Sequence, residues 1–200
     1  WVHGGGYVQG SGSFAGQPTG WFDGTTLAKE HGVVVNGYPI DPDIPDLGQW
    51  LRREQYDCVY TGKWHVSGRE LHESFEVLQP EHGMGEINDG NVARSAVAYL
   101  QNRTDDQPFF LNVGFLNPHD CCFPALPDGG PGKYAFAPAI ESDLPPLPDN
   151  FNDAYAENGQ PAIRDWSRRD WQYYIYQYHR MVEMVDAEIG RVMDALRASP

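Results

Sequence analysis

The sequence predicts an α/β fold in which parallel strands carry flanking helices, and three segments support this prediction. The apolar run Cys58–Tyr60 and the longer run over residues 108–116 are typical of buried strands. Between them, residues 91–100 place apolar side chains at helical spacing. A strand, a helix and a second strand in this order predict a right-handed crossover between parallel strands.

Another helix is predicted over residues 44–55, and we expect Leu47, Trp50 and Leu51 to form its buried face. The following stretch, residues 69–89, is interpreted as a polar connection that contains His72 and His82.

The longest predicted helix begins at Ser167, where Asp170 completes a capping-box pattern. Its apolar stripe is more typical of core packing than of a cofactor site. The stripe consists of Trp171, Tyr174, Tyr178, Met181, Val185, Ile189, Val192 and Leu196. Residues 123–161 before it are rich in proline and glycine, and such a long loop is expected to be functional or loosely ordered.

Polar residues follow both predicted strands. Lys63 and His65 stand two positions apart after the first strand, so an extended backbone projects them to one side and turns Trp64 into packing. His119 follows the second strand. Because parallel strands end at the same edge of a sheet, we predict that Lys63, His65 and His119 converge there. An amine and two imidazoles suit an anion such as sulfate or phosphate.

A plainer interpretation of each feature remains open at this point. Residues 61–65 also fit an ordinary turn with a surface lysine and a half-buried histidine. The second histidine-bearing strand end favours the anion site over this alternative. Arg69 and Glu70 lie close enough in sequence to line the same pocket, although a solvated pair of these two residues fits equally well.

Several segments resemble the sulfatase family. Thr61–His65 resembles the Gly-Lys-Trp-His end of the family's second signature, and residues 108–120 resemble a Pro-Phe-Phe-Leu strand that runs into a Pro-His-Asp turn. The lead-in over residues 31–52 and the helix over residues 174–196 are similar as well. The resemblance covers residues 29–198. It implies the central part of a sulfatase catalytic domain, with a partial alkaline-phosphatase-like sheet and flanking helices.

The resemblance also implies roles for individual residues. Lys63 would contact the substrate sulfate and the nucleophile, His65 would hold the hydroxyl of the nucleophile, and His119 would contact the sulfate and assist the leaving group. Arg69 is a further candidate for substrate binding. The implied activity is hydrolysis of sulfate esters of carbohydrates or aryl compounds, so the expected partner is a sulfated small molecule or glycan.

Two features of the family are missing from this sequence. Formylglycine forms within a Cys-x-Pro/Ala-x-Arg motif, and none of Cys58, Cys121 and Cys122 lies in one. The acidic elements that hold Ca²⁺ in the family are also absent. We therefore expect formylglycine and Ca²⁺ only in the intact enzyme, assign no metal ligand here, and expect this segment to be inactive by itself.

Residues 1–28 form a separate, atypical segment, with eight glycines among the first 24 residues. Two interpretations are open: a flexible, disordered glycine-rich loop, or a truncated or mistranslated 5′ region joined to authentic sequence. Residues 29–200 are assigned to the catalytic domain.

Composition limits the remaining possibilities. The net charge of −14 disfavours nucleic acid as a partner, because phosphate binding needs a basic surface. No run of about 18 apolar residues predicts a membrane span, and no signal-peptide pattern occurs in the sequence. The family resemblance implies a periplasmic or secreted protein, whereas nothing in the sequence indicates an oligomeric state.

Two alternative functions use the same residues. A phosphatase or phosphonate hydrolase of the same superfamily would use the same cationic donors for phosphate. A non-catalytic anion- or glycan-binding module would instead use tryptophans as faces for sugar stacking, with Trp21, Trp64 and Trp166 as candidates.

Overall fold

A computed structural model describes residues 41, 43–64, 66, 68–80, 83–104, 106–121, 138–152 and 166–199. The described elements, in chain order, are α1 (Leu47–Arg53), β1 (Asp57–Gly62), α2 (Leu71–Ser74), β2 (Glu76–Pro80), α3 (Gly85–Asn102), β3 (Phe109–Gly114), α4 (Pro138–Ser142) and α5 (Arg168–Ala198). The chain divides into two compact units. The first comprises residues 1–80 and 105–112, and the second comprises residues 81–104 and 113–200.

The sheet of the first unit has the strand order β2-β1-β3. β1 and β2 run parallel, with Val59 opposite Glu76, and the pairing shifts between Tyr60 and Thr61. β1 is buried from Cys58 onward, as expected of a central strand of a parallel sheet. The mixture of helices with a small parallel sheet confirms the predicted α/β class.

The prediction for residues 69–89 is wrong, since this stretch contains α2, β2 and the first turn of α3. The sequence of β2 does not predict a strand, because β2 is only five residues long and its side chains are partly buried or exposed. Its place at the edge of the described sheet explains why so short and polar a strand is stable there.

α1 begins earlier in the prediction than in the structure, and its start is fixed by a capping box. The Asp46 carboxylate accepts the backbone N–H of Gln49 at 2.9 Å, and the Gln49 side chain accepts the Asp46 N–H at 3.4 Å. These two bonds satisfy N–H groups that have no partner within the helix.

The buried face predicted for α1 is also wrong in part. Leu47 and Trp50 are 59% and 53% exposed, whereas Gly48 is buried and Leu51 packs against the core. A Cβ atom at position 48 would lie 2.7 Å from the Phe75 ring. The helix therefore contacts Ser74 and Phe75 through a glycine, and the spacing of apolar residues does not predict a contact of this kind.

The core of the first unit is a cluster around Cys58, Tyr60 and Phe75. The rings of Tyr60, Trp64 and Phe75 meet edge to face, with centroids 5.3 to 6.1 Å apart. Such arrangements are the preferred geometry of aromatic pairs. They fix the segment that follows β1.

In the second unit, α3 packs against α5. Of the helical face predicted from spacing, α3 buries Val92, Ala96 and Leu100, whereas Tyr99 is only partly buried; Ala93, which the prediction did not include, is buried as well. α5 begins at the predicted capping box, since the Ser167 and Asp170 side chains each bond to the other residue's backbone N–H.

The apolar stripe of α5 is buried only in part. Met181 and Val185 are buried, whereas Tyr178, Ile189 and Leu196 are 39%, 43% and 39% exposed. Tyr173 and Ala195, which lie outside the predicted stripe and near the two ends of the helix, are buried as well.

Some sequence predictions concern residues that the structure does not describe. The glycine-rich segment 1–28 lies entirely outside the described residues, as does most of the 123–161 loop. Among the helices that are described, none combines the length and apolar character needed to cross a membrane.

Candidate functional site

Lys63 lies at the end of the central strand. It follows Gly62, whose φ of 97° belongs to the left-handed region that favours glycine. The Tyr60 hydroxyl donates a hydrogen bond to the Lys63 carbonyl oxygen, and this bond fixes the backbone of the turn. The Lys63 side chain is partly buried, and no described residue pairs with its ammonium group.

Trp64 turns into packing, as the sequence predicts. Its ring contacts Tyr60 and Phe75, and its Nε1–H donates to the Arg69 carbonyl oxygen at 2.9 Å. His65 lies outside the described residues, so its place beside Lys63 stays a prediction.

Arg69 is buried, with only 4% of the residue exposed. Its guanidinium lies 3.3 Å from the Asp46 carboxylate and 3.5 Å from that of Glu73. It also donates to the carbonyl oxygens of Asp41 at 3.3 Å and Ile44 at 2.9 Å.

These contacts connect Arg69 to the segment that precedes α1. Asp46, which caps α1, accepts hydrogen bonds from both Arg69 and the Ser74 hydroxyl. The guanidinium is therefore engaged in holding this segment together. Substrate binding by Arg69 stays a prediction, and the alternative of a solvated pair with Glu70 is wrong because the side chain is buried.

His119 lies in the turn that follows β3. Its backbone N–H donates to the Leu116 carbonyl oxygen at 2.9 Å, and the Asn117–Pro118 peptide is cis. The His119 side chain is 47% exposed, and its Nδ1 atom lies 3.7 Å from Oδ1 of Asp120. The imidazole thus combines a carboxylate neighbour with access from solvent.

Two buried carboxylates attach this turn to α3. Asp89 accepts the backbone N–H groups of Leu116 at 2.7 Å and Asn117 at 3.0 Å. Asp120 accepts the backbone N–H of Gly85, the first residue of α3. Both aspartates are almost fully buried, at 3% and 2% exposure. The position of His119 is therefore set by contacts with the helix that precedes β3.

Burial raises the pKa of Asp89 above its ordinary value. The N–H groups of Leu116 and Asn117 act against this shift, while the nearby charge of Asp120 adds to it. Burial is the largest of these effects, so the folded protein favours the protonated carboxyl more than the unfolded chain does.

The sequence prediction did not include Asp89, although a signal was present. Asp89 precedes Val92, Ala93 and Ala96 by three, four and seven positions, so it lies on the apolar face of α3. A carboxylate on such a face indicates a buried hydrogen-bond partner. Asp120 stands in the sequence only as the last residue of the Pro-His-Asp turn.

Lys63 belongs to the first unit and His119 to the second. Each lies just after a strand, as the sequence predicts. The convergence of Lys63, His65 and His119 around one anion stays a prediction.

The described residues contain no group of three histidine, cysteine or acidic side chains that could hold a metal ion. Cys58 and Cys121 are free thiols. Cys58 is buried in β1, and burial raises the pKa of its thiol. A thiol of this kind is an inert core side chain.

The model of the family "Sulfatase" matches residues 24–200 of this chain. The chain belongs to the sulfatase family. A sulfatase of Formosa agariphila is 33% identical over 113 residues, which cover 50% of this chain and 20% of that protein. The uncharacterized sulfatase YidJ of Escherichia coli K12 is 22% identical over 211 residues, covering 84% of this chain and 41% of its own length.

The fold of this sulfatase chain is also similar to a solved structure, that of a 2-O GAG sulfatase. The two superpose with a TM-score of 0.64 at 24% identity, covering 81% of this chain and 38% of the other. This likeness confirms the alkaline-phosphatase-like class of the fold. The chain spans less than half the length of each of these three relatives.

Proposed function

We propose that this chain provides part of the active site of a sulfuric ester hydrolase, with Lys63, His65 and His119 arranged around the substrate sulfate. The observation that carries the proposal is the family match over residues 24–200, which includes both strand ends that bear these residues. The position of Lys63 at the end of the central strand, on a backbone fixed by Gly62 and Tyr60, supports it.

Each residue has a defined chemical part in the proposal. Sulfate ester cleavage moves negative charge onto the leaving oxygen, and fixed cationic donors stabilise that charge better than water does. Lys63 would bind the sulfate oxygens, and His119 would donate a proton to the departing alcohol oxygen. His65 would hold the hydroxyl of the nucleophile.

The nucleophile itself lies outside these residues. In the family, a hydrated formylglycine supplies it, and the sequence contains no motif for making one. We therefore propose that the 200-residue chain alone has no turnover. Hydrolysis of an aryl sulfate by the chain alone, with or without added Ca²⁺, would contradict this proposal.

The substrate class is proposed from the same relatives. The solved neighbour is described as a 2-O GAG sulfatase, and this favours a sulfated glycan over a small aryl sulfate. A periplasmic or secreted location fits such a substrate and is proposed with it.

The test compares sulfate and phosphate esters in the full-length protein. We expect hydrolysis of 4-nitrophenyl sulfate or a sulfated disaccharide, and much slower hydrolysis of 4-nitrophenyl phosphate. Lys63→Ala and His119→Ala should each lower kcat/KM roughly 100-fold or more, which is the usual effect of removing one such donor.

The matched control is Arg197→Ala, which removes a cation from an exposed ion pair with Asp194 on α5. It should leave kcat/KM unchanged. Equal activity of Lys63→Ala and Arg197→Ala would refute the proposed role of Lys63. Faster turnover of the phosphate ester would indicate a phosphatase, and tight binding of sulfated glycan without turnover would indicate a binding module.

A further inference from the structure

We propose that Asp120 is a positioning residue for His119, holding the imidazole through Nδ1 so that Nε2 is presented to the substrate. The inference deepens the proposed function, because the substrate-facing role of His119 rests on it. The placement of the Asp120 carboxylate beside the His119 imidazole is observed independently of that function.

Asp120 is a fixed carboxylate. Its side chain is 3% exposed, and its Oδ2 atom accepts the backbone N–H of Gly85. The cap residue of α3 is Met84, whose side chain makes no capping hydrogen bond. Asp120, 35 positions away in the chain from Gly85, supplies the acceptor for the Gly85 N–H instead. The N-terminal end of a helix carries partial positive charge, which stabilises a carboxylate there.

The second oxygen of the same carboxylate faces His119. Oδ1 lies 3.7 Å from Nδ1, a distance that suits an ion pair and exceeds that of a hydrogen bond. Since the bond to Gly85 fixes Oδ2, the direction of Oδ1 is also set. A small rotation of the exposed imidazole would bring Nδ1–H into hydrogen-bond contact with Oδ1.

A carboxylate at one ring nitrogen selects the tautomer of a neutral histidine. With the proton on Nδ1 facing Asp120, Nε2 is the nitrogen presented to the substrate: it takes up a proton to form the imidazolium, and this Nε2 proton is the one given to the departing alcohol oxygen. His119 is 47% exposed, so the ring has an open side on which a leaving group can lie. Asp120 thus sets both the orientation and the protonated nitrogen of His119.

Asp89 provides a matched comparison. It is another buried carboxylate and it holds the same turn, through the N–H groups of Leu116 and Asn117. No hydrogen bond or ion pair is described between Asp89 and His119. If Asp120 merely holds the turn, Asp120→Asn and Asp89→Asn should affect His119 alike.

The decisive measurement is the tautomer of neutral His119, read from long-range ¹H–¹⁵N spectra of histidine-labelled full-length protein, with His119→Gln for assignment. We expect the Nδ1–H form to predominate in the wild type and in Asp89→Asn, and the Nε2–H form in Asp120→Asn. A wild type with mainly Nε2–H would overturn the inference even if no variant folded. So would an equal response of the two variants.

Kinetics separates this inference from the proposed function. In a turnover assay on a sulfate ester, Asp120→Asn should lower kcat roughly 10- to 100-fold with little change in KM, as expected when a group that orients a catalytic histidine is removed. An unchanged kcat would contradict the inference. If the wild type cleaves no sulfate ester, the proposed function fails, and the tautomer measurement still decides the role of Asp120.

Discussion

Arg69 is a cation within seven positions of the Gly-Lys-Trp-His sequence, yet it is buried against carboxylates and carbonyl oxygens. A buried charge is tolerated only when its donors are satisfied, and Arg69 bonds to Asp46, Asp41 and Ile44. Its environment is that of a structural ion pair, which sequence proximity to Lys63 could not reveal.

We therefore predict that Arg69→Ala destabilises the protein by about 3 kcal/mol, because it leaves Asp46 without its cation in a mostly buried place. Urea denaturation would measure the change. Arg197→Ala, which breaks the exposed pair with Asp194, should change the free energy of unfolding by less than about 0.5 kcal/mol. A stable Arg69→Ala variant with a raised KM would instead support substrate binding by Arg69.

Asp89 gives a prediction about pH at the same scale. Burial raises its pKa in the folded protein, so the stability that this group contributes is fully present below its unfolded pKa. That contribution is lost as the pH rises through the folded pKa. The free energy of unfolding of the wild type should therefore fall relative to Asp89→Asn as the pH is raised from about 3.5, just below the ordinary pKa of aspartate.

Urea denaturation of both proteins at stepped pH values would test this, because asparagine at position 89 does not titrate. The difference in stability should become constant once Asp89 is ionised in both states. A difference that grows in favour of the wild type with rising pH would show that the folded pKa is lowered instead.

At the scale of helices and strands, two glycines within helices have opposite surroundings. Gly48 in α1 lies so close to its neighbours that a Cβ atom would be 2.7 Å from the Phe75 ring and from the Ser74 carbonyl oxygen. Gly190 in α5 has no neighbouring atom within 4 Å of the same position. Close packing explains the first glycine, and nothing in the structure explains the second.

The pair predicts opposite effects of one substitution. Gly48→Ala should destabilise the protein by about 1–3 kcal/mol, because backbone and ring atoms would have to move. Gly190→Ala should stabilise it by about 0.5–1 kcal/mol, because alanine favours the helix and restricts the unfolded chain. Thermal denaturation of both variants would measure these effects, and a stable Gly48→Ala variant would contradict the observed packing of α1.

Local signals explain which elements the sequence could predict. Two local patterns are found in the structure: the capping box of Ser167 and Asp170, and the apolar spacing of α3. Each pattern involves residues that are only a few positions apart in the chain. β2 carries no such signal, because it is a short strand stabilised by pairing with β1. The buried face of α1 was mispredicted because its contact is made by a glycine.

At the scale of the whole molecule, the family match and the α/β class agree with the sequence motifs over most of the chain. The motifs that contain Lys63 and His119 follow β1 and β3. Local sequence patterns predict both of these strands. The part of the candidate site around His119 depends on more than its own motif. The carboxylates of Asp89 and Asp120 hold this turn to α3 through three hydrogen bonds, which join residues 27 to 35 positions apart in the chain.

The sequence by itself determined the fold class, the strand ends that carry Lys63 and His119, and the family. These follow from periodicity and short motifs, which act over a few residues. Only the tertiary structure decided that Arg69 is buried, that α1 packs through Gly48, and that Asp89 and Asp120 hold the His119 turn. Burial and hydrogen bonding between distant segments depend on which side chains folding brings together; a local pattern can mark a buried carboxylate such as Asp89, but it does not specify the partner.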